Sequence, residues 1–205
     1  MPGARTHDVI TLMSGTILAP IALVTLVNEG LPPDTIALDT MLLVGAHLLS
    51  GMMFSPDLDI DSAIDNRWGI LGWIWRPYMW AVPHRSRWLS HGLIIPPILR
   101  LGYFFGVILL LFLAFAWAMG EVGIVVPNYH EQAARYLLEL ARLNPREVFL
   151  FLLGFITGGA AHSIADWLVT GGKHVLHKLG IRVTRDYSGH DEWRRGPRSR
   201  FLRYR

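Results

Sequence analysis

The sequence contains no cysteine, and that absence excludes a disulfide scaffold, a zinc ribbon, an iron–sulfur centre and a cysteine nucleophile. Charge is scarce as well: Asp, Glu, Lys and Arg make up 17% of the 205 residues, against about 25% in an average soluble domain. Apolar residues fill the deficit, at 52% of the chain with a mean hydropathy of +0.34. Such a composition excludes disorder and argues against an ordinary soluble enzyme. The net charge is only +3, yet ten of the nineteen Lys and Arg fall in the last thirty-three residues. Positive charge gathered at one end points to orientation in a membrane before it points to nucleic acid, which is not expected as a partner.

A helix that crosses the hydrocarbon layer, about 30 Å thick, needs about 20 mostly apolar residues. Four stretches qualify: 9–28, 35–54, 93–119 and 147–169. The first is uncharged, the second carries only Asp39 near one end, and the third carries only Arg100, near enough to an end to snorkel. Residues 104–119 hold no charge at all, whereas a helix of a soluble bundle keeps a polar face. The expected fold class is therefore all-α: a polytopic membrane helical bundle of about four transmembrane helices with interfacial helices between them. It occupies residues 1–170 and is followed by a basic cytoplasmic tail over 171–205. The first stretch is too long and too weakly flanked by basic residues for a cleaved signal peptide, and is expected to remain.

Lys and Arg set the orientation. With the chain starting inside, segments 1–8, 55–92 and 170–205 carry fifteen basic residues and the outer segments 29–34 and 120–146 carry three, so both termini are expected to be cytoplasmic. The tail then lies where anionic lipid headgroups attract it, each Lys or Arg contributing about 1 kcal/mol. Between the second and third stretches, Trp68, Trp73, Trp75 and Trp80 alternate with Arg67 and Arg76, a composition suited to the headgroup boundary. Residues 130–144 read as an amphipathic helix resting on the outer surface.

The same topology gathers the ionisable groups at one face. His7 precedes the first stretch, Asp57, Asp59 and Asp61 follow the second, His84 and His91 precede the third, and His162 and Asp166 close the fourth. His162 and Asp166 are spaced i, i+4 and continue a stripe of Gly154 and Gly158, small residues that let a neighbouring helix come close. Taken alone, this stripe also fits a packing seam with one satisfied histidine. Pro56 disfavours helix at Ser55, so the aspartate run is expected to be extended with its carboxylates on one side. It is no EF-hand, since Ser62 and Trp68 stand where a Gly and a Glu are required. A solvated acidic loop is the plain rival for that run. His7, Asp57, His84, His91, His162 and Asp166 together are mixed nitrogen and oxygen ligands suited to a divalent metal, one or two ions, with zinc foremost and manganese or iron as rivals. His47, about 15 Å deeper in a helical span, suits a helix–helix hydrogen bond better than a ligand role.

An N-terminal His, Pro-Asp-x-Asp after an apolar stretch, His-Arg with a second His, and a late His-x-x-x-Asp resemble, in that order, the YdjM-type bacterial membrane-bound metal-dependent hydrolases. The likeness is closer to a bacterial family of uncharacterised metal-binding proteins that share Arg5-Thr6-His7-Asp8 and the run Phe54 through Ile60. It extends over about residues 5 to 170 and implies a polytopic protein of the bacterial inner membrane holding divalent metal. A fainter similarity to the zinc-dependent phospholipase C and P1-nuclease fold stops at a single His-x-x-x-Asp, so the trinuclear zinc site of those enzymes does not carry over.

Three functions are consistent with these residues. The first is a metal-dependent hydrolase at the cytoplasmic leaflet, acting on a phosphoester of a lipid or other membrane-associated substrate, with Asp59 as ligand-orienting group or general base and Arg85 or Arg87 neutralising phosphate. The second is a non-catalytic metal-binding or metal-transporting membrane protein. The third is a structural bundle edged by ion pairs.

Overall fold

The computed structural model describes residues 4–60, 66–82 and 92–178, with side chains as far as residue 169. Among these residues there is no strand. Helix α1 spans Ala4–Asn28 and α2 spans Pro33–Met53. They are joined by a tight turn in which Gly30 takes φ 70°, a conformation that a Cβ would strain. Pro33 opens α2 at a position where its missing N–H costs nothing. One 3-10 turn covers Pro56–Asp59 and a second covers Gly69–Trp75, which leads into the short α3, Arg76–Ala81. Helix α4 is Ile95–Glu121, α5 is Tyr129–Leu143 and α6 is Pro145–Lys178.

Four of these elements are long and apolar enough to cross a membrane: Ala4–Asn28, Pro33–Asp59, Ile95–Glu121 and Pro145–Val169. Their outward faces are apolar. Val9, Met13, Ile17, Ile21 and Val24 are exposed along α1, and Leu110, Leu113 and Trp117 along α4. α5 has no buried residue, as an amphipathic surface helix should not.

Close approach of α2 and α6 builds the centre. A methyl group placed on Gly154 would overlap the Leu43 carbonyl, and one on Gly158 would overlap the carbonyl of His47, so backbone packs on backbone along that stripe. His47 then ties three helices together: its Nε2 lies 2.9 Å from Ser14 Oγ on α1 and its Nδ1 3.1 Å from Thr157 Oγ1 on α6. One turn further, Leu18, Ala22, Leu43 and Leu150 form an apolar layer. Beyond that layer Arg146 donates to Asp39 and to Glu29, both at 2.6 Å.

At the opposite end an aromatic core surrounds Phe54. Its ring meets Trp68, Trp75, Phe104 and Phe155 at centroid distances of 5.2 to 5.6 Å, separations typical of edge contacts. The last carbonyls of α2 are capped from this side, Met52 by Arg67 Nη1 at 2.7 Å and Met53 by Trp68 Nε1 at 3.0 Å. Tryptophans expected only at a lipid boundary thus divide into two sets: Trp75 is fully buried, while Trp80 is 90% exposed.

Several local expectations need correction. α1 begins at Ala4, so His7 sits inside its first turns rather than ahead of them. α6 runs for 34 residues, which puts His162 and Asp166 in its middle. The aspartate run is not extended: Ser55 is, with ψ 159°, and its side chain accepts from the Asp57 N–H, but Pro56 then starts a 3-10 turn. Such a turn has three residues per revolution, so Asp57 and Asp59 cannot share a side as they would on a strand. Arg100 does not snorkel; it is fully buried.

Candidate metal centre

The site lies where the first turns of α1, the Pro56–Asp59 turn and the middle of α6 meet. α1 supplies His7, which is 1% exposed, and α6 supplies His162, which is wholly buried. Their imidazoles stack in parallel with centroids 3.6 Å apart. Asp166, one turn along α6 from His162, reaches both rings, Oδ1 lying 3.3 Å from His7 Nε2 and Oδ2 3.5 Å from His162 Nε2. The turn supplies Asp57, whose Oδ2 is 3.7 Å from His162 Nε2. One ligand atom each from His7, Asp57 and His162 fits within a span of 4.8 Å.

These separations carry chemical information. Bonds of about 2.0–2.2 Å at tetrahedral angles place ligand atoms about 3.3–3.6 Å from one another; the two Asp166 contacts, at 3.3 and 3.5 Å, fall in that range, and the His7, Asp57 and His162 atoms are gathered somewhat more loosely, within 4.8 Å. The contacts are long for hydrogen bonds, and the buried ring nitrogens of His7 and His162 have these carboxylates near them without well-aligned bonds. Buried imidazole nitrogens without aligned partners are costly in a protein interior unless something else engages them. Donor type agrees, since two imidazoles and two carboxylates suit zinc, manganese or iron.

Near this group stand an ion pair and a buried cation. Asp8 pairs with Arg67 at 2.5 Å. Asp59, 4% exposed, lies with Tyr78 and Asp57 in the field of the buried Arg100. Burial pushes the Tyr78 phenol up to about 12, opposed by the nearby guanidinium.

Of the residues singled out from the sequence, the structure brings together His7, Asp57, His162 and Asp166, and buries Asp59 on the same turn as Asp57. His84, Arg85 and His91, with Arg87 and Asp61, lie outside the described residues. His47 is one layer deeper, engaged with Ser14 and Thr157. Sequence reasoning missed Arg100, although a signal was available, since it is the only charge in an otherwise apolar stretch. The Asp8–Arg67 pair had no such signal, because only folding places residues 59 positions apart side by side.

No curated protein and no solved structure matches the chain. A family model does, over residues 2–176. On that match, and with a buried His/Asp cluster in place to hold an ion, the chain belongs to the family described as uncharacterized metal-binding protein (DUF2227).

Proposed function

We propose that the protein is a metal-dependent hydrolase embedded in the bacterial inner membrane. It would hold a divalent ion, zinc foremost, between His7, Asp57, His162 and Asp166, and would act on a phosphoester of a lipid or another membrane-associated substrate at the cytoplasmic face. One observation carries the reading: two buried imidazoles and two carboxylates from three separate elements converge, with His7, Asp57 and His162 offering ligand atoms within 4.8 Å of one another and Asp166 within 3.5 Å of both rings. Charge supports a single ion at these residues. Asp57 and Asp166 balance two positive charges, while Asp8 is paired with Arg67.

Such an ion, when bound, supplies a polarised phosphoryl oxygen and an acidified water. The chain's own residues hold and orient. α6 places Asp166 against Nε2 of both imidazoles, and the Pro56–Asp59 turn presents Asp57 to His162. From the segment before α4, Arg85 would neutralise substrate phosphate with its guanidinium fork, and His84 and His91 would complete the shell or hold a second ion. The reaction class rests on the likeness to the YdjM-type hydrolases.

Four helices of spanning length and their apolar outer faces support a membrane setting. The distribution of Lys and Arg supports cytoplasmic termini, which puts the site at the inner surface, with the basic tail against anionic headgroups. Transport is less favoured, because backbone contact along Gly154 and Gly158 leaves no passage between α2 and α6. The test is a panel of phosphate monoesters and diesters, presented in micelles to detergent-purified protein with and without chelator. Turnover that disappears with chelator and returns with zinc is the expected result. Bound metal without turnover on any ester would favour the non-catalytic reading.

A further inference from the structure

Residues 66–82 lie between two spans and are too few to cross a bilayer, yet they leave large apolar side chains uncovered. Ile70 is 91% exposed, Trp80 nearly as much, and Leu71 and Trp73 half. Spacing explains the pattern. Side chains three apart eclipse in a 3-10 helix, and those three or four apart share a face of an α-helix. Ile70, Trp73, Pro77 and Trp80 therefore form one stripe, and Ile74, Trp75 and Tyr78 form another, which is buried. The buried stripe is pinned at a definite depth. Trp68 Nε1 donates to the carbonyl of Met53, the last residue of α2, and Trp75 packs on Phe54 and Phe104. Tyr103, about two turns into α4, donates to the Ile74 carbonyl. The exposed stripe thus stands beside the end of one span and the start of the next, the level at which spans leave hydrocarbon for headgroups.

An apolar stripe outside the spanning helices calls for a partner, and three observations select lipid. Its depth is that of the headgroup boundary. Two of its large side chains are tryptophans, whose amphipathic rings favour that boundary. Residues 66–82 contain no Asp or Glu, and Arg76 is exposed among the apolar side chains, a sign of charge that suits anionic headgroups. We propose that Ile70, Trp73 and Trp80 form an in-plane lipid anchor, seated in the headgroup boundary, that sets the depth of the metal centre. The connection is short: α3 lies against the Pro56–Asp59 turn, which carries Asp57. Asp57 is also the most open of the four candidate ligands, with 15% of its side chain exposed against 5% or less for His7, His162 and Asp166. An anchor on this side keeps the open edge of the centre level with the phosphate groups of the surrounding lipid. This inference rests on the membrane setting proposed above and adds to it the element that fixes the site's height.

With no native cysteine, single nitroxide labels report depth directly. Full-length protein carrying Ile70→Cys or Trp80→Cys is spin-labelled and reconstituted into vesicles of phosphatidylcholine with phosphatidylglycerol. Power saturation then compares oxygen, which concentrates in hydrocarbon, with a water-soluble nickel chelate present on both sides of the vesicles. Both positions are exposed, so the substitutions leave the packed stripe intact. Leu110→Cys, on the outward face of α4, gives the hydrocarbon reference, and Asn128→Cys, just ahead of α5, the aqueous one. Labels at both test positions should be reached by oxygen and largely protected from nickel, at a depth between the two references. Nickel access equal to that of Asn128→Cys, with Leu110→Cys protected, would overturn the anchor and leave the membrane setting standing. Labels shielded from oxygen and nickel alike would assign the stripe to a second copy or another protein, which also overturns it. Nickel access at Leu110→Cys would instead overturn the membrane setting itself.

Discussion

His162 is the residue through which the site is most directly questioned, because it touches both carboxylates and stacks on the other imidazole. Replacing it with Ala should reduce bound metal from the wild-type amount to background while leaving the protein in the membrane fraction; metal analysis of both fractions checks this. His47 should behave in the opposite way. It bonds Ser14 and Thr157, and both hydroxyls retain backbone acceptors, Ile10 and Gly154. His47→Leu should then cost about 1–3 kcal/mol of stability, read as a lower melting temperature, with metal content unchanged. The sequence separated these two histidines by their depth in the helices, and it singled out by residue type His7, Asp57, His162 and Asp166, which the fold brings together. It could not give the burial of Arg100 or the partners of Arg67. Those depend on how distant segments cross, and snorkelling was the simpler reading for a charge near the end of a span.

Among the elements, the α2–α6 seam makes the sharpest demand on sequence. Gly158 faces the His47 carbonyl and Gly154 that of Leu43, with no space for a methyl group. Gly158→Ala must push the helices apart, at a cost of about 1–3 kcal/mol. Because His162 lies one turn away on the same stripe, metal affinity should fall with stability. Gly106→Ala is the matched control: nothing lies within 4 Å of the added methyl, so melting temperature and metal content should both stay at wild-type values. Helix lengths and the glycine stripe were legible because spacing encodes them directly. The turn after Pro56 was not, since a proline fixes the residue before it and leaves open whether the chain beyond runs on as strand or coils into a 3-10 turn. Likewise, the start of α1 at Ala4 was hidden because polar residues such as Arg5 and Thr6 end an apolar stretch without ending a helix.

At the scale of the whole molecule, the four apolar helices and the fifteen-to-three division of basic residues make a topological claim. With no native cysteine, single introduced thiols report sidedness cleanly. Asn128→Cys, just ahead of α5, should react with an impermeant maleimide added to intact cells, and Ser188→Cys should react only after permeabilisation. The candidate metal centre also joins three elements far apart in the chain, so an ion bound there should stabilise their assembly. At about a hundredfold excess over its dissociation constant an ion contributes about 2.7 kcal/mol. Stripping it should lower the melting temperature by about 5–10 °C. The most direct measurement is the metal-to-protein ratio by plasma mass spectrometry, on detergent-purified wild type and on the His7→Ala and His162→Ala variants. The account predicts at least one divalent ion per wild-type chain and close to none in either variant. Wild type free of metal, or variants that keep their full complement, would contradict it.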